Sequence, residues 1–124
     1  MSKVLIVEDN PDHADLARRV LAASGYDVLS ATDAEAGLQM AIDNLPDLIL
    51  LDLGLPDIDG QTLLGRMRRV PELKDTPIVA VTAWPANTGP RMAESYGFDG
   101  YISKPLKFSK LAEQVSAYLS QDGA

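Results

Sequence analysis

Five short apolar runs, separated by stretches of helical length, constrain this chain more than any other feature of its sequence. The runs are Val4 to Val7, Val28 to Ala31, Leu48 to Leu51, Ile78 to Val81 and Tyr101 to Ile102. They are rich in β-branched residues and Leu and too short for helices, so they read as buried strands. Between them apolar residues recur at helical spacing: Ala14, Ala17 and Leu21, then Ala34, Leu38, Ala41 and Leu45, then Leu63, Leu64 and Met67. After the fifth run, Phe108, Leu111, Ala112, Val115 and Leu119 form an apolar stripe with a polar face opposite. Strands that alternate with helices join by right-handed crossovers and lie parallel. Strands apolar along their whole length need cover on both faces. The expected fold is α/β, a doubly wound sheet of five parallel strands.

Boundary signals agree with this division. Asn10 before Pro11 suits an N-cap followed by Pro at the first helical position, and Thr32 with Glu35 suits a capping box. Gly25 and Gly97 suit helix C-caps. Gly89 and Pro90 fall where the fourth helix should begin, and Pro is tolerated only in a first turn, so that helix is expected to be short or to start late. The 124 residues fit a single domain, 1–124, with 121–124 as a loose tail.

The charge balance narrows the function. Eleven basic against 18 acidic side chains give a net charge of −7, which repels phosphate backbones and anionic lipid, so neither nucleic acid nor a membrane surface is an expected partner. There is no Cys, hence no thiolate metal site and no thiol nucleophile. No apolar run approaches the roughly 20 residues of a membrane span, and the N-terminus lacks the order of a signal peptide. Cytoplasmic residence is the expectation.

In doubly wound sheets the site lies beyond the carboxyl ends of the strands. There this sequence places Glu8 and Asp9 after the first run, Asp52 after the third, Thr82 after the fourth, and Lys104 just before Pro105 after the fifth. Two unit charges about 4 Å apart interact by about 4 kcal/mol at an effective dielectric near 20. Three clustered carboxylates therefore raise one another's pKa unless a cation joins them. Hard oxygen ligands suit Mg2+, which binds through one or two carboxylates and a phosphate oxygen. Such a site suits phosphoryl transfer, with a carboxylate as nucleophile and Lys104 and Thr82 placed to meet the phosphoryl oxygens.

The strings VLIVEDN (Val4 to Asn10), PDLILLD (Pro46 to Asp52), LPDIDG (Leu55 to Gly60), Thr82 with Ala83, and YISKP (Tyr101 to Pro105) resemble the response-regulator receiver domain, and the likeness runs from Lys3 to Leu119. Thr82, Tyr101 and Lys104 follow Asp52 in the receiver order with no insertion between them. The resemblance implies a flavodoxin-like (βα)5 fold with strand order 2-1-3-4-5. It implies that Asp52 is the phosphoacceptor, charged from a phosphohistidine on a histidine kinase or histidine phosphotransfer protein. It further implies Mg2+ bound by Asp9, Asp52 and the backbone carbonyl of Gly54, with Glu8 acting through a water. Thr82 and Tyr101 would be switch residues, Lys104 would face the phosphoryl group, and the Lys104–Pro105 bond would be cis.

Several features lie outside that pattern. Trp84, close after Thr82, either shields the acyl phosphate or is a loop aromatic, and Gly54 is a second candidate modulator of phosphoryl lifetime. Tyr96 and Phe98 are expected to pack beneath the preceding loop, with partner binding as the alternative. His13 reads as a solvated helix residue, and Arg66, Arg68 and Arg69 as a solvated basic face or salt bridges of little weight. The expected function is a stand-alone switch that signals through protein contacts, as a monomer or a phosphorylation-stimulated dimer, because no output module follows the last helix. A haloacid-dehalogenase-like phosphohydrolase would want a second acid two residues after its nucleophile, where Gly54 stands. A flavodoxin-like flavin binder would want hydroxyls and Gly where Glu8 and Asp9 stand.

Overall fold

The computed structural model describes residues 2–85 and 87–123. Its five strands are β1 (Lys3–Val7), β2 (Asp27–Ala31), β3 (Leu48–Asp52), β4 (Ile78–Thr82) and β5 (Gly100–Ser103). Its five helices are α1 (Pro11–Ala23), α2 (Ala34–Asn44), α3 (Gly60–Arg68), α4 (Gly89–Tyr96) and α5 (Phe108–Gly123). A 3-10 turn at Pro71–Leu73, unmarked by periodicity, buries Leu73 completely. All pairings are parallel, in the order β2-β1-β3-β4-β5. The fold is the flavodoxin-like one expected, and α4 is indeed short, with Pro90 in its first turn.

The pleat sorts each strand's side chains onto two faces. Leu5, Val7, Ile49, Leu51, Ile78 and Ala80 meet Leu63, Leu64 and Met67 of α3, Ala34 and Ala41 of α2 and Ala93 of α4. Val4, Ile6, Leu48, Leu50, Val79 and Val81 meet Ala17 and Leu21 of α1 and Leu111 and Val115 of α5. With both faces covered, β3 and β4 are buried at every position. Each fully buried Leu, Ile or Val contributes about 1.5–3 kcal/mol relative to exposure. Small residues govern how closely helices approach: a Cβ on Gly37 would sit 2.8 Å from a methyl of Val7.

The helix starts differ in one place from expectation. Asn10 caps α1 as expected, accepting from Asp12 N at 3.0 Å and His13 N at 3.2 Å. The capping box at Thr32 and Glu35 does not form. Asp33 is the N-cap of α2 and accepts from Ala36 N at 2.8 Å. Asp57 reaches over from the β3–α3 loop to accept from Ala34 N at 2.9 Å and Glu35 N at 3.0 Å. Two carboxylates thus satisfy the free donors, and Glu35 pairs instead with Arg66 at 3.0 Å. Gly25 and Gly97 take positive φ, 96° and 92°, at helix ends as expected. Leu45, read as an apolar-face residue, is instead the C-cap of α2, left-handed at φ 47° and 49% exposed. The backbone of residues 121–123 continues α5 where a loose tail is expected, and Ala124 lies outside the described residues.

Gly60 is required by close backbone approach. A Cβ there would meet the Cα of Leu53 at 2.8 Å and the carbonyl oxygen of Asp52 at 3.2 Å, neither of which can swing aside. Gly65, on the exposed side of the same helix, has nothing within 4 Å of such a Cβ. Gly60→Ala should destabilise the fold by about 1–3 kcal/mol. Gly65→Ala should stabilise it by about 0.5–1 kcal/mol. Denaturant unfolding of the two variants checks this, and equal effects would contradict it.

Candidate functional site

The strand order reverses at β1, whose neighbours are β2 on one side and β3 on the other. Helices leave these strands toward opposite faces, and the gap between them collects whatever follows the strands. Asp52 is the last residue of β3, while Glu8 and Asp9 directly follow β1. One carboxylate oxygen from each of Glu8, Asp9 and Asp52 lies within 4.8 Å of the other two. Glu8 and Asp52 are buried, and Asp9 is exposed. Thr82 closes β4 with 9% exposure, and the Lys104 amide beyond β5 donates to its carbonyl at 2.8 Å. That bond fixes where the Lys104 side chain starts. Its Nζ donates to Asp52 Oδ2 at 2.9 Å, and the Gly54 amide donates to Asp52 Oδ1 at 3.0 Å. The Lys104–Pro105 peptide is cis.

The charges are divided unevenly. Burial pushes Glu8 up to about 8, and the neighbouring Asp52 and Asp9 add to the shift, so near neutral pH Glu8 holds a proton that it donates toward Asp52. Burial also works to raise Asp52, but hydrogen bonds from Glu8, the Gly54 amide and the Lys104 ammonium outweigh it and hold the carboxyl below its usual value. One buried carboxylate is thereby kept ionised, with its oxygens tied to fixed donors. Like charges this close cannot both ionise cheaply, and with the two carboxyls equally buried the negative charge goes to Asp52, the one that the Gly54 amide and the Lys104 ammonium hold.

Sequence and structure differ most around the edges of the site. His13, read as a bystander, is 57% exposed yet places Nδ1 3.8 Å from Glu8 Oε1, because Asn10 starts α1 directly above the acidic cluster. Trp84 belongs to an aromatic group, stacked on Tyr96 at 5.8 Å, edge-on to Phe98 at 6.3 Å and tilted to Tyr101 at 6.4 Å. Packing is therefore the reading that holds for Phe98, which is buried, whereas Tyr96 stacks on Trp84 but stays 44% exposed. Gly54 is not demanded by crowding, since a Cβ there would only touch Asp52 Oδ1 at 3.7 Å.

Two positioning residues escape sequence reasoning. Asp57 anchors the loop after Asp52 onto the start of α2. Arg68, read as a solvated face or a weak salt bridge, does pair with Asp99 at 2.7 Å, but it also donates to the carbonyls of Leu73, Lys74 and Thr76. It thereby ties α3 to the approach into β4, where Asp99 also accepts from Ile78 N at 2.7 Å. Only a turn signal at Pro56–Asp57 points to the first, and nothing local points to the second.

A family model described as the response regulator receiver domain matches residues 4–116. The chain belongs to that family of phosphoacceptor signalling switches of two-component systems. It is 34% identical over 116 residues to the polar-differentiation response regulator DivK of Brucella anthropi, covering 94% of both chains. It is 36% identical over 119 residues to the DNA-binding dual master transcriptional regulator RpaA of Synechocystis, covering 96% of this chain but only 49% of RpaA. The chain thus spans about half the length of RpaA and nearly all of DivK. Among solved structures, the chemotaxis response regulator CheY4 of Vibrio cholerae superposes with a TM-score of 0.88 at 25% identity, over 95% of this chain and 98% of that one. No described helix is long and apolar enough to cross a membrane.

The Glu8 proton has a measurable consequence. Between about 4.5 and about 8 the folded chain holds a proton that the unfolded chain releases. The associated stability is fully present below that window and is lost as pH rises through it. Denaturant midpoints of the metal-free protein should fall over this range, and Glu8→Gln should flatten the slope. The same slope in both proteins would contradict the assignment.

Proposed function

We propose that Asp52 is the residue of this chain that receives the phosphoryl group, from a phosphohistidine on a histidine kinase or histidine phosphotransfer protein. The observation that carries this is a buried, ionised carboxylate at the end of β3 whose Oδ2 is held by Lys104 and whose Oδ1 is held by the Gly54 amide. In the transfer an Asp52 oxygen attacks phosphorus, the P–N bond breaks in line, and the imidazole leaves with its electron pair. Lys104 meets the growing charge on the equatorial oxygens, and Thr82, at the end of the adjoining strand, offers its hydroxyl to one of them. The haloacid-dehalogenase alternative has no support from any relative or from the residue two after Asp52, which is Gly54.

The donor set fits a hard divalent cation. Three carboxylates have oxygens within 4.8 Å of one another, and no His or Cys is among them. Asp9 and Asp52 would hold Mg2+ together with the Gly54 carbonyl, and Glu8 would act through a water. Bound there, Mg2+ supplies positive charge against the phosphoryl oxygens. Tyr101 responds to the modified state as a switch residue, and Trp84 acts on it through the shared aromatic group. The chain works as one domain in the cytoplasm and signals through protein contacts, as a monomer or a phosphorylation-stimulated dimer.

Incubation with acetyl phosphate and Mg2+, read by intact mass, should add one phosphoryl group to the wild type and none to Asp52→Asn or to a Mg2+-free control. Lys104→Ala should slow the addition by about a hundredfold, the scale for losing one preorganised donor at a developing charge. An adduct on Asp52→Asn equal to the wild type's would overturn the assignment.

A further inference from the structure

Tyr118 joins α5 to β5 at a single residue. β5 is an edge strand, and the peptide N–H and C=O of Tyr101 face away from β4. One phenol meets both groups: Tyr101 N donates to the Tyr118 hydroxyl at 3.2 Å, and that hydroxyl donates to the Tyr101 carbonyl at 3.1 Å. Edge strands ordinarily leave such groups to water or to another chain. Here a side chain occupies the place of a neighbouring peptide. Gly100 makes the arrangement fit, because a Cβ there would clash with the ring edge and the hydroxyl of Tyr118. Burial pushes the Tyr118 hydroxyl above its usual pKa, so it keeps the proton it donates.

The ring of Tyr101 is engaged on the opposite side. A Cβ at Gly89, the first residue of α4, would lie 2.8 Å from the Tyr101 hydroxyl oxygen and closer still to its ring. Trp84, in the loop after Thr82, lies 6.4 Å from the same ring. Tyr101 therefore touches the β4–α4 segment with its ring and α5 with its backbone.

We propose that Tyr118 is a positioning residue that carries displacements of Tyr101 into α5, so that the state of the Asp52 site is expressed on that helix. The proposal rests on the phosphoacceptor reading above. Two hydrogen bonds from one hydroxyl to one residue are directional, and both keep their length only if α5 follows the strand. The apolar contacts of Leu111 and Val115 with the sheet are not directional, and they permit the helix to slide.

Amide NMR of the full chain, with and without Mg2+ and beryllofluoride as a phosphoryl mimic, tests this on the wild type and Tyr118→Phe. The wild type should show shifts both near the strand ends, at Leu53, Gly54 and Thr82, and in α5 at Ser116, Ala117 and Leu119. Tyr118→Phe should keep the strand-end shifts and lose those in α5. Gly100→Ala, which displaces the ring with its hydroxyl intact, should give the same loss and serves if Tyr118→Phe does not fold. Survival of the α5 shifts in either folded variant overturns the coupling while leaving the phosphoacceptor reading in place. Absence of strand-end shifts in the wild type overturns that reading and the coupling with it.

Discussion

The structure turns on the crowding of Glu8, Asp9 and Asp52 at one end of the sheet, where carboxylate oxygens come within 4.8 Å of each other. Left to themselves these groups repel, and burial of two of them strengthens the repulsion. The fold resolves the conflict locally by placing a proton on Glu8 and an ammonium, Lys104, against Asp52. What remains is one ionised oxygen pair held at fixed donors, next to oxygens that suit a divalent cation, and the proposed transfer uses that pair. The repulsion that remains is what a bound divalent cation would relieve.

Much of the remaining architecture keeps those few groups in place. The parallel pairing of β1 with β3, with Val7 opposite Leu51, puts Asp52 beside Glu8, and the apolar burial along both strands leaves their register no freedom to slip. The loop after Asp52 is fixed at two points, by the close approach of Gly60 to Leu53 and by the hold of Asp57 on the start of α2. On the far side, Lys104 is anchored through its amide to Thr82, and Arg68 and Asp99 fasten the entry into β4. An aromatic group built on Trp84 fills the space between that strand's exit and α4.

The sheet and the site were legible in the sequence because both depend on local signals. Apolar runs such as Leu48 to Leu51 mark strands by composition, and the rule that sites follow strand ends then picks out Glu8, Asp9, Asp52, Thr82 and Lys104 without reference to side-chain contacts. Contacts between residues far apart in sequence were not legible. The capping box at Thr32 and Glu35 looks complete locally, yet Asp57, 23 residues away, takes the Ala34 amide. Arg68 looks like surface charge until the loop that it holds folds back on it, and Leu45 looks like core until α2 ends in a left-handed turn at that residue. His13 is similar: its spacing says helix surface, and only the start of α1 at Asn10, next to Glu8, brings it within 3.8 Å of that carboxyl.

The division of charge between Glu8 and Asp52 is the claim on which the chemistry stands, and carbon-detected NMR titration of the side-chain carboxyls in the metal-free protein tests it most directly. The expected result is that Asp52 stays ionised below the ordinary aspartate range while Glu8 titrates near 8. A high-titrating Asp52, or a Glu8 that ionises near 4.5 like an unburied glutamate, would contradict the account.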